Sequence, residues 1–480
     1  MNAPSILDTR GLRFAAKFLL VILVLFSSVR YGTVAAAEYI MYADTESIAA
    51  VELKIEEVRA RRTLRPLGET QVLQKLEEYE EALSTRTIGT ASIDTIAQAH
   101  ERMIAADLST MKLYLFENGH ATATIDILSK GKRGSRWETP TGLYKIETKE
   151  ENHFSTIGSV NMPKSMQFFG NFFIHGWPYY PDGTPVAEGF SGGCIRLSTE
   201  DAARVFDFAK RGTPIFVSED SSASTTPLTL KSAPLPRVSA KSFLVADIST
   251  GVVYAEKDAD TPRPIASISK LLTALVANET IHFDRTLTVN SDDRAETEGS
   301  PGSILKGDTF TVGELLYPLL MESNNSAAYT LARYNGTENF VGWMNDKAEA
   351  IGMTETHMED PSGLSPLNTA SASDLFKLMR YIEGSQSFIL NLSREPKKEL
   401  EAENGRKYTF PNFNHFAGNK EFLGGKIGYT PEARETMAAV FELPVQGVTT
   451  TVAVIILGSE ERKGDVEKLL AWFKSAARAN

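Results

Sequence analysis

The chain has 480 residues, enough for two or three domains, and its 42% hydrophobic and 23% charged residues are an ordinary globular composition. A formal net charge of -11 argues against nucleic acid or an anionic membrane surface as a partner. There is a single cysteine, Cys194, so no disulfide forms within the chain.

At the N-terminus, Arg10, Arg13 and Lys17 precede an apolar run over residues 18–26, and Ala35-Ala36-Ala37 follows before Glu38. A basic flank, a short apolar core and an A-x-A site read as a secretory signal over residues 1–37. The run is short for a spanning helix, which needs about 20 residues. Arg30 is awkward for cleavage, so a retained N-terminal anchor is the alternative, and that segment is the only expected membrane contact. Either way the remainder is expected to be exported to the cell envelope, periplasm or cell wall. An unpaired cysteine in an oxidising compartment points to chemistry. Residues 38–105 read as a helical spacer, with Val72, Leu76, Tyr79 and Leu83 at helical steps and Pro66-Leu67-Gly68 as a break.

Residues 106–218 read as β-rich. Lys112-Leu-Tyr-Leu-Phe116, a turn at Asn118-Gly119 and Ala121-Thr-Ala-Thr-Ile-Asp-Ile127 predict a hairpin. Thr139-Pro140-Thr141-Gly142 is a turn into a strand, and Phe172-Phe173-Ile174-His175 is a short strand ending in a histidine. Sixteen residues after His175 comes Ser191-Gly192-Gly193-Cys194-Ile195-Arg196. The glycines allow a substrate to approach closely, and Arg196 is expected to favour thiolate. Ser198 or Thr199 caps a helix, and Pro214-Ile-Phe-Val217 is expected to close the sheet. Cysteine with a distant histidine is the minimum for an activated thiol.

These motifs resemble the catalytic domain of L,D-transpeptidases, which cross-link peptidoglycan. The resemblance implies Cys194 as nucleophile and His175 as its base, with the Gly176 carbonyl orienting the imidazole. It implies that Ser191, Gly193 and Arg196 surround the substrate, with backbone N–H groups near Cys194 holding the oxyanion. Many members have a histidine where this chain has Gly192.

Residues 219–237, rich in Ser, Thr and Pro, read as an exposed linker. Residues 238–480 carry a second constellation. Ser267-Ile268-Ser269-Lys270 opens a helix, and the i, i+3 spacing puts Lys270 beside the Ser267 hydroxyl. A buried lysine of lowered pKa can take a serine proton. Ser323-Asn324-Asn325 follows an apolar helix, and Gly424-Gly425-Lys426-Ile427-Gly428-Tyr429 lies on a predicted strand. Two further hairpins are expected, one from residue 243 to 255 and one from 437 to 457.

S-x-x-K, S-x-N and K-x-G in this order, with Asp360-Pro-Ser-Gly-Leu364 between the last two, resemble the D-alanyl-D-alanine carboxypeptidase family of penicillin-binding proteins. The resemblance implies Ser267 as nucleophile, Lys270 as base and Ser323 as proton relay. Asn325 and Lys426 would hold the substrate, Gly428 would let it pair alongside, and the N–H groups of Ser267 and Tyr429 would form the oxyanion hole. Ile427 stands where a threonine or serine hydroxyl usually helps hold the substrate carboxylate.

The expected architecture is multidomain. A β-rich L,D-transpeptidase-like domain precedes an α/β serine penicillin-binding-protein-like domain, with an antiparallel sheet flanked by helices and a helical lobe. The expected function is bifunctional: cysteine-dependent transpeptidation of stem peptides and serine-dependent removal of terminal D-alanine. The alternatives are a D,D-endopeptidase in the C-terminal part, or a degenerate, envelope-binding domain. Stem peptides are the expected partners, with penicillins as inhibitors at Ser267 and carbapenems at Cys194. Neither a metal nor another cofactor is implied, since no cluster has ligand spacing.

Overall fold

The structure is a computed structural model that describes Thr87 and residues 92–219, 228–231, 233–297 and 302–478. The basic-apolar segment of residues 1–37 and the periodic run over 72–83 lie outside the described residues. Among the described residues no helix is long and apolar enough to cross a membrane.

A short helix, α1 (Ile93–Gln98), capped by the Ser92 hydroxyl, leads into strand β1 (Arg102–Asp107). This strand begins before residue 106, where the sheet was expected to start. The run Met103-Ile104-Ala105-Ala106 is apolar on both faces and fully buried, so it enters a sheet and not a helical spacer. Around it lie β2 (Lys112–Glu117), β3 (His120–Asp126), β4 (Gly142–Lys145) and β9 (Pro214–Ser218), in the order β3-β2-β1-β9-β4. β9 runs parallel to β1 and antiparallel to β4. It therefore lies inside the sheet instead of closing it, because Ile215 and Val217 are buried on its inner face.

A second sheet consists, in order, of β5 (Thr148–Ser155), β6 (Val160–Phe169), β7 (Phe172–His175) and β8 (Ile195–Arg196). Helix α2 (Thr199–Phe208), capped by Ser198, follows β8. One apolar core joins both sheets and the helix through Ile104, Phe168, Ile174, Ile195, Val205 and Ile215.

The expected linker is partly structured. Glu219 pairs with Lys130 at 2.6 Å. Leu228 is buried, and Thr229-Leu230 pairs with Ala477-Arg478. The leucines give this stretch an apolar component that the Ser/Thr/Pro content hides.

The C-terminal domain is built on strands β10 (Ser242–Asp247), β11 (Val253–Lys257), β12 (Phe422–Thr430), β13 (Arg434–Val445) and β14 (Val448–Ser459). They form an antiparallel sheet in the order β11-β10-β14-β13-β12. Alternation assigns its faces. Leu244, Ala246, Ala438, Val440, Ala453 and Ile455 face the helical lobe. Phe243, Val245, Met437, Phe441, Val454 and Ile456 face α8 (Arg462–Ala476). The lobe contains α3 (Ser269–Thr280), α4 (Val312–Met321), α5 (Asn325–Arg333), α6 (Thr337–Ala350) and α7 (Ala372–Ser385). All twelve residues of α3 are buried, which marks it as the central helix.

The two domains form one compact unit. Ala350, the last residue of α6, lies in the apolar core of the β-rich domain. The Gly142 backbone sits so close to the Ala350 carbonyl that a Cβ there would be 2.7 Å from its oxygen. Arg136 stacks over Phe283, with 4.5 Å to the ring centroid, and Trp137 packs on His282. Asn278 Nδ2 donates to the Arg136 carbonyl at 3.1 Å. In the middle, Lys347 Nζ donates to Glu279 Oε1 (3.0 Å), Tyr144 OH (2.7 Å) and Tyr381 OH (2.8 Å).

Asp465, buried at the start of α8, accepts hydrogen bonds from Ser239 N and Oγ, Ala240 N and Ser459 Oγ, which pins the entry to the domain. Burial opposes its ionisation, but the donated bonds outweigh burial and hold the carboxyl below its ordinary value. Asp465→Asn is expected to cost about 2 kcal/mol at neutral pH, read by denaturant unfolding. A depressed carboxyl stabilises above its unfolded pKa and loses that contribution as pH falls through the folded value. The gap between wild type and variant is therefore expected to close below about pH 4.

Candidate functional site

Ser267 lies in a 3₁₀ turn, Ala266–Ile268, that runs directly into α3, and Lys270 is in the first turn of α3. The spacing acts as the sequence suggests, with Lys270 Nζ 3.0 Å from Ser267 Oγ. The ammonium also donates to Asn325 Oδ1 at 2.6 Å and to the Ser362 carbonyl. Burial pushes Lys270 down to about 7, against the pull of Asp360. A substantial fraction is therefore neutral at physiological pH and able to accept the serine proton. Lys426 Nζ donates to Ser323 Oγ at 3.0 Å and to the Ile427 carbonyl at 2.7 Å. Burial, then Lys270 and Arg462, hold its pKa well below the ordinary lysine range.

Backbone strain surrounds the nucleophile. Ala266 has φ 49° and Ser323 has φ 63°, both in the left-handed region. Gly428 allows β12 to pass next to the nucleophile, since a Cβ there would be 2.8 Å from Ser267 N. Tyr429 is largely exposed at the rim. Ile427 pairs with Met437 and packs on the α8 side of the sheet, opposite to the face of Lys426.

Two further groups contribute, one from a stretch that the sequence already marks and one that escapes sequence reasoning. Asp360 accepts from Ser362 N and Oγ, Gly363 N and Ser365 N, which folds the Asp360-Pro-Ser-Gly-Leu364 stretch and aims the Ser362 carbonyl at Lys270. Arg462, at the start of α8, donates from Nη1 to the Gly428 carbonyl at 2.9 Å, and its buried Nε has no hydrogen-bond partner. Nothing in the sequence marks Arg462, because it joins the site from 36 residues after Lys426.

In the β-rich domain, Cys194 directly precedes β8, and His175 ends β7. The parallel pairing Ile174–Ile195 and His175–Arg196 puts Cys194, His175 and Arg196 on one face. His175 Nδ1 is 2.6 Å from the Gly176 carbonyl, which fixes this nitrogen as the donor and leaves Nε2 as the acceptor. Burial lowers His175 to about 4, so the imidazole is neutral. The Cys194 turn is held by Ser191, whose Oγ donates to the Cys194 carbonyl (2.6 Å) and accepts from Gly193 N (3.1 Å). Gly193 has φ 103°, and a Cβ there would be 2.3 Å from the Phe172 ring. Thr139 Oγ1 donates to the Gly193 carbonyl at 2.8 Å, which gives the Thr139-Pro-Thr-Gly142 stretch its role.

The thiol itself departs from expectation. Its hydrogen bond goes to the Asn171 carbonyl at 3.7 Å, not to His175. Burial pushes Cys194 up to about 11, outweighing the Phe173 N–H and the positive field of Arg196. Arg196 favours the thiolate in the expected direction, but burial outweighs it and favours the neutral thiol. Among the described residues Arg196 has no ion-pair partner, its Nε is buried without a hydrogen bond, and its guanidinium lies 5.7 Å from the Trp177 ring centroid. At Gly192 a Cβ would meet nothing within 4 Å. Among the described residues no group of three or more His, Cys, Asp or Glu side chains is placed to hold a metal ion.

Comparison with known proteins accords with both centres. The family model for the L,D-transpeptidase catalytic domain matches residues 101–217, and that for D-alanyl-D-alanine carboxypeptidase matches residues 229–456. The chain is similar to a D-alanyl-D-alanine carboxypeptidase of Mycobacterium tuberculosis, with 33% identity over 209 residues, 43% of this chain and 71% of the relative. It is similar to a D-alanyl-D-alanine endopeptidase of Pseudomonas aeruginosa, with 32% identity over 49% of this chain and 77% of the relative. A crystal structure of a D-alanyl-D-alanine carboxypeptidase from Mycobacterium tuberculosis superposes with a TM-score of 0.47 at 28% identity, over 52% of this chain and 97% of that one.

If Lys270 is the base, acylation of Ser267 by a fluorescent penicillin should rise with pH through an apparent pKa near 7, because only the neutral amine accepts the proton. Lys270→Arg keeps the charge but cannot deprotonate, and is expected to slow acylation by roughly 10²–10⁴-fold. A flat pH profile between 6 and 8 would exclude Lys270 as the base.

Proposed function

The chain belongs to the D-alanyl-D-alanine carboxypeptidase family and carries an L,D-transpeptidase catalytic domain, and from that premise we propose that it is an exported bifunctional enzyme of peptidoglycan. Ser267 removes the terminal D-alanine from pentapeptide stems. Cys194 then uses the resulting tetrapeptide stems as acyl donors for cross-linking. The observation that supports this reading is the presence of two nucleophile–base combinations on one compact unit: Ser267 with Lys270 at 3.0 Å, and Cys194 on the same strand-pair face as an oriented, neutral His175.

At the serine centre, neutral Lys270 accepts the Ser267 proton as Oγ attacks the carbonyl of the penultimate D-alanine. The N–H groups of Ser267 and Tyr429 receive the oxyanion. D-Alanine leaves, taking a proton relayed by Ser323, and water releases the acyl group. Asn325 and Lys426 hold the stem, and Arg462 adds positive charge for the terminal carboxylate. A hydroxyl at position 427 is therefore dispensable, which favours retained carboxypeptidase activity despite Ile427.

At the thiol centre, the acyl donor displaces the resting contact between Cys194 and Asn171. The thiol turns to His175, Nε2 accepts its proton, and sulfur attacks the carbonyl of the third stem residue. The departing D-alanine takes that proton, and an amine of a neighbouring stem accepts the acyl group. Arg196, without an ion-pair partner among the described residues, holds a carboxylate of the donor.

Pentapeptide muropeptides incubated with the purified protein test both steps. Wild type is expected to release D-alanine and form L,D-cross-links. Ser267→Ala should lose cross-linking from pentapeptides yet keep it when tetrapeptides are supplied, and Cys194→Ala should stop at tetrapeptides. Equal cross-linking of pentapeptides by Ser267→Ala would refute the sequential reading. The similarity to proteins named endopeptidases supports a second reading for Ser267, distinguished in the same assay by liberation of monomers from D,D-linked dimers. The open space at position 192 predicts that Gly192→His folds normally and raises the cross-linking rate several-fold, measured by the same product analysis.

A further inference from the structure

The two centres share more than a chain. Helix α3 begins at the serine centre, with Lys270 in its first turn, and ends at Glu279-Thr280 against the β-rich domain. At about 1.5 Å per residue its twelve residues span about 18 Å. The Glu279 carbonyl, in the last turn, accepts a hydrogen bond from Asn171 N at 3.3 Å. Gly170 presses on the same carbonyl, since a Cβ there would be 2.7 Å from the oxygen. Asn171 is the residue whose own carbonyl accepts the Cys194 Sγ–H.

The Glu279 side chain is held through one carboxylate oxygen, Oε2 being buried without a hydrogen-bond partner. Oε1 accepts from Lys347 Nζ and from Tyr381 OH at 2.9 Å, and Glu279 and Lys347 are both fully buried. Lys347 also donates to Tyr144 OH, which in turn donates to the Thr141 carbonyl at 2.8 Å. Thr141 is two residues from Thr139, the residue that holds the Gly193 carbonyl. Two routes therefore lead from one buried ion pair of the C-terminal domain to the turn bearing Cys194. One runs through Asn171, the other through Thr139–Tyr144.

We propose that the serine domain supplies the supporting wall of the thiol centre, and that Glu279 and Lys347 are positioning residues for Cys194 although they belong to the other domain. The buried pair fixes the end of α3, α3 fixes the Gly170-Asn171 turn, and that turn sets where the thiol rests. This proposal rests on the reading of Cys194 as a nucleophile, but its test reads the thiol directly as well as through activity.

Lys347→Met breaks the pair from the C-terminal side, and Gly170→Ala wedges the same contact from the β-rich side. Three rates are measured on each full-length variant: penicillin acylation of Ser267, alkylation of Cys194 by iodoacetamide at pH 8, and cross-linking of tetrapeptide muropeptides. Acylation of Ser267 within twofold of wild type is expected, which also reports a folded C-terminal domain. Alkylation of Cys194 should rise several-fold as its support loosens. The kcat of cross-linking should fall at least tenfold, with KM within twofold. Unchanged alkylation and cross-linking in both variants overturn the proposal, as does a parallel loss at both centres. If wild type does not cross-link, alkylation alone decides the positioning role, and the failure then lies with the transpeptidase reading.

Discussion

The structure depends on a buried ion pair that belongs to neither active site. Lys347 and Glu279 meet at 3.0 Å with no exposure to solvent. Burial pushes Lys347 down to about 8 against the opposing pull of Glu279, and removing either partner would leave an uncompensated group in the interior. Tyr144 and Tyr381 accept from Lys347, and Tyr381 also donates to Glu279 Oε1, while Glu279 Oε2 is buried without a hydrogen-bond partner. One of these tyrosines comes from the β-rich domain, so the network forms only when the domains are docked. Tandem domains joined by a flexible linker raise local concentration. A docked pair with a shared core also fixes orientation. Ala350 of α6, buried in the core of the other domain, is the apolar counterpart of the same constraint.

The two proposed nucleophiles sit in surroundings that the same physical effect shapes in opposite ways. Burial destabilises charge. Applied to Lys270, it yields a base poised near neutrality beside an uncharged serine. Applied to Cys194 and His175, it yields a neutral thiol and a neutral imidazole, the reverse of a preformed thiolate–imidazolium pair. The serine centre is assembled at rest, with five polar side chains linked in two hydrogen-bonded groups. At the thiol site, Cys194 Sγ rests on the Asn171 carbonyl and not on His175. A buried neutral thiol is less reactive than an exposed thiolate.

Much of this was legible in the sequence because it is local. Ser267 and Lys270 are three residues apart on consecutive helical turns, and Ser191 to Cys194 form one turn held by their own hydrogen bonds. The hairpins expected over residues 243–255 and 437–457 are likewise present as paired antiparallel strands. Local reasoning fails where burial decides. The expectation of a thiolate rests on Arg196, whose effect burial of Cys194 outweighs. Met103–Ala106 has no polar alternation to separate a buried strand from a buried helix. Arg462, Asn171 and Glu279 come to the sites from distant elements, and no periodicity marks them. Ile427 was read as a lost hydroxyl at the site, whereas strand parity turns it to the opposite face.

Two acyl transfers in sequence leave an isotopic record. In H₂¹⁸O, hydrolysis at Ser267 puts one ¹⁸O into the new carboxylate of the fourth residue. Transfer at Cys194 then expels that same residue, while the cross-link takes no oxygen from water. Mass spectrometry of the free D-alanine released from pentapeptide donors by the intact protein is thus the most direct measurement. One ¹⁸O-labelled D-alanine per cross-link, alongside at least as much unlabelled D-alanine, is the expected result. Cross-links formed with only unlabelled D-alanine in solution would contradict a serine centre feeding a thiol centre.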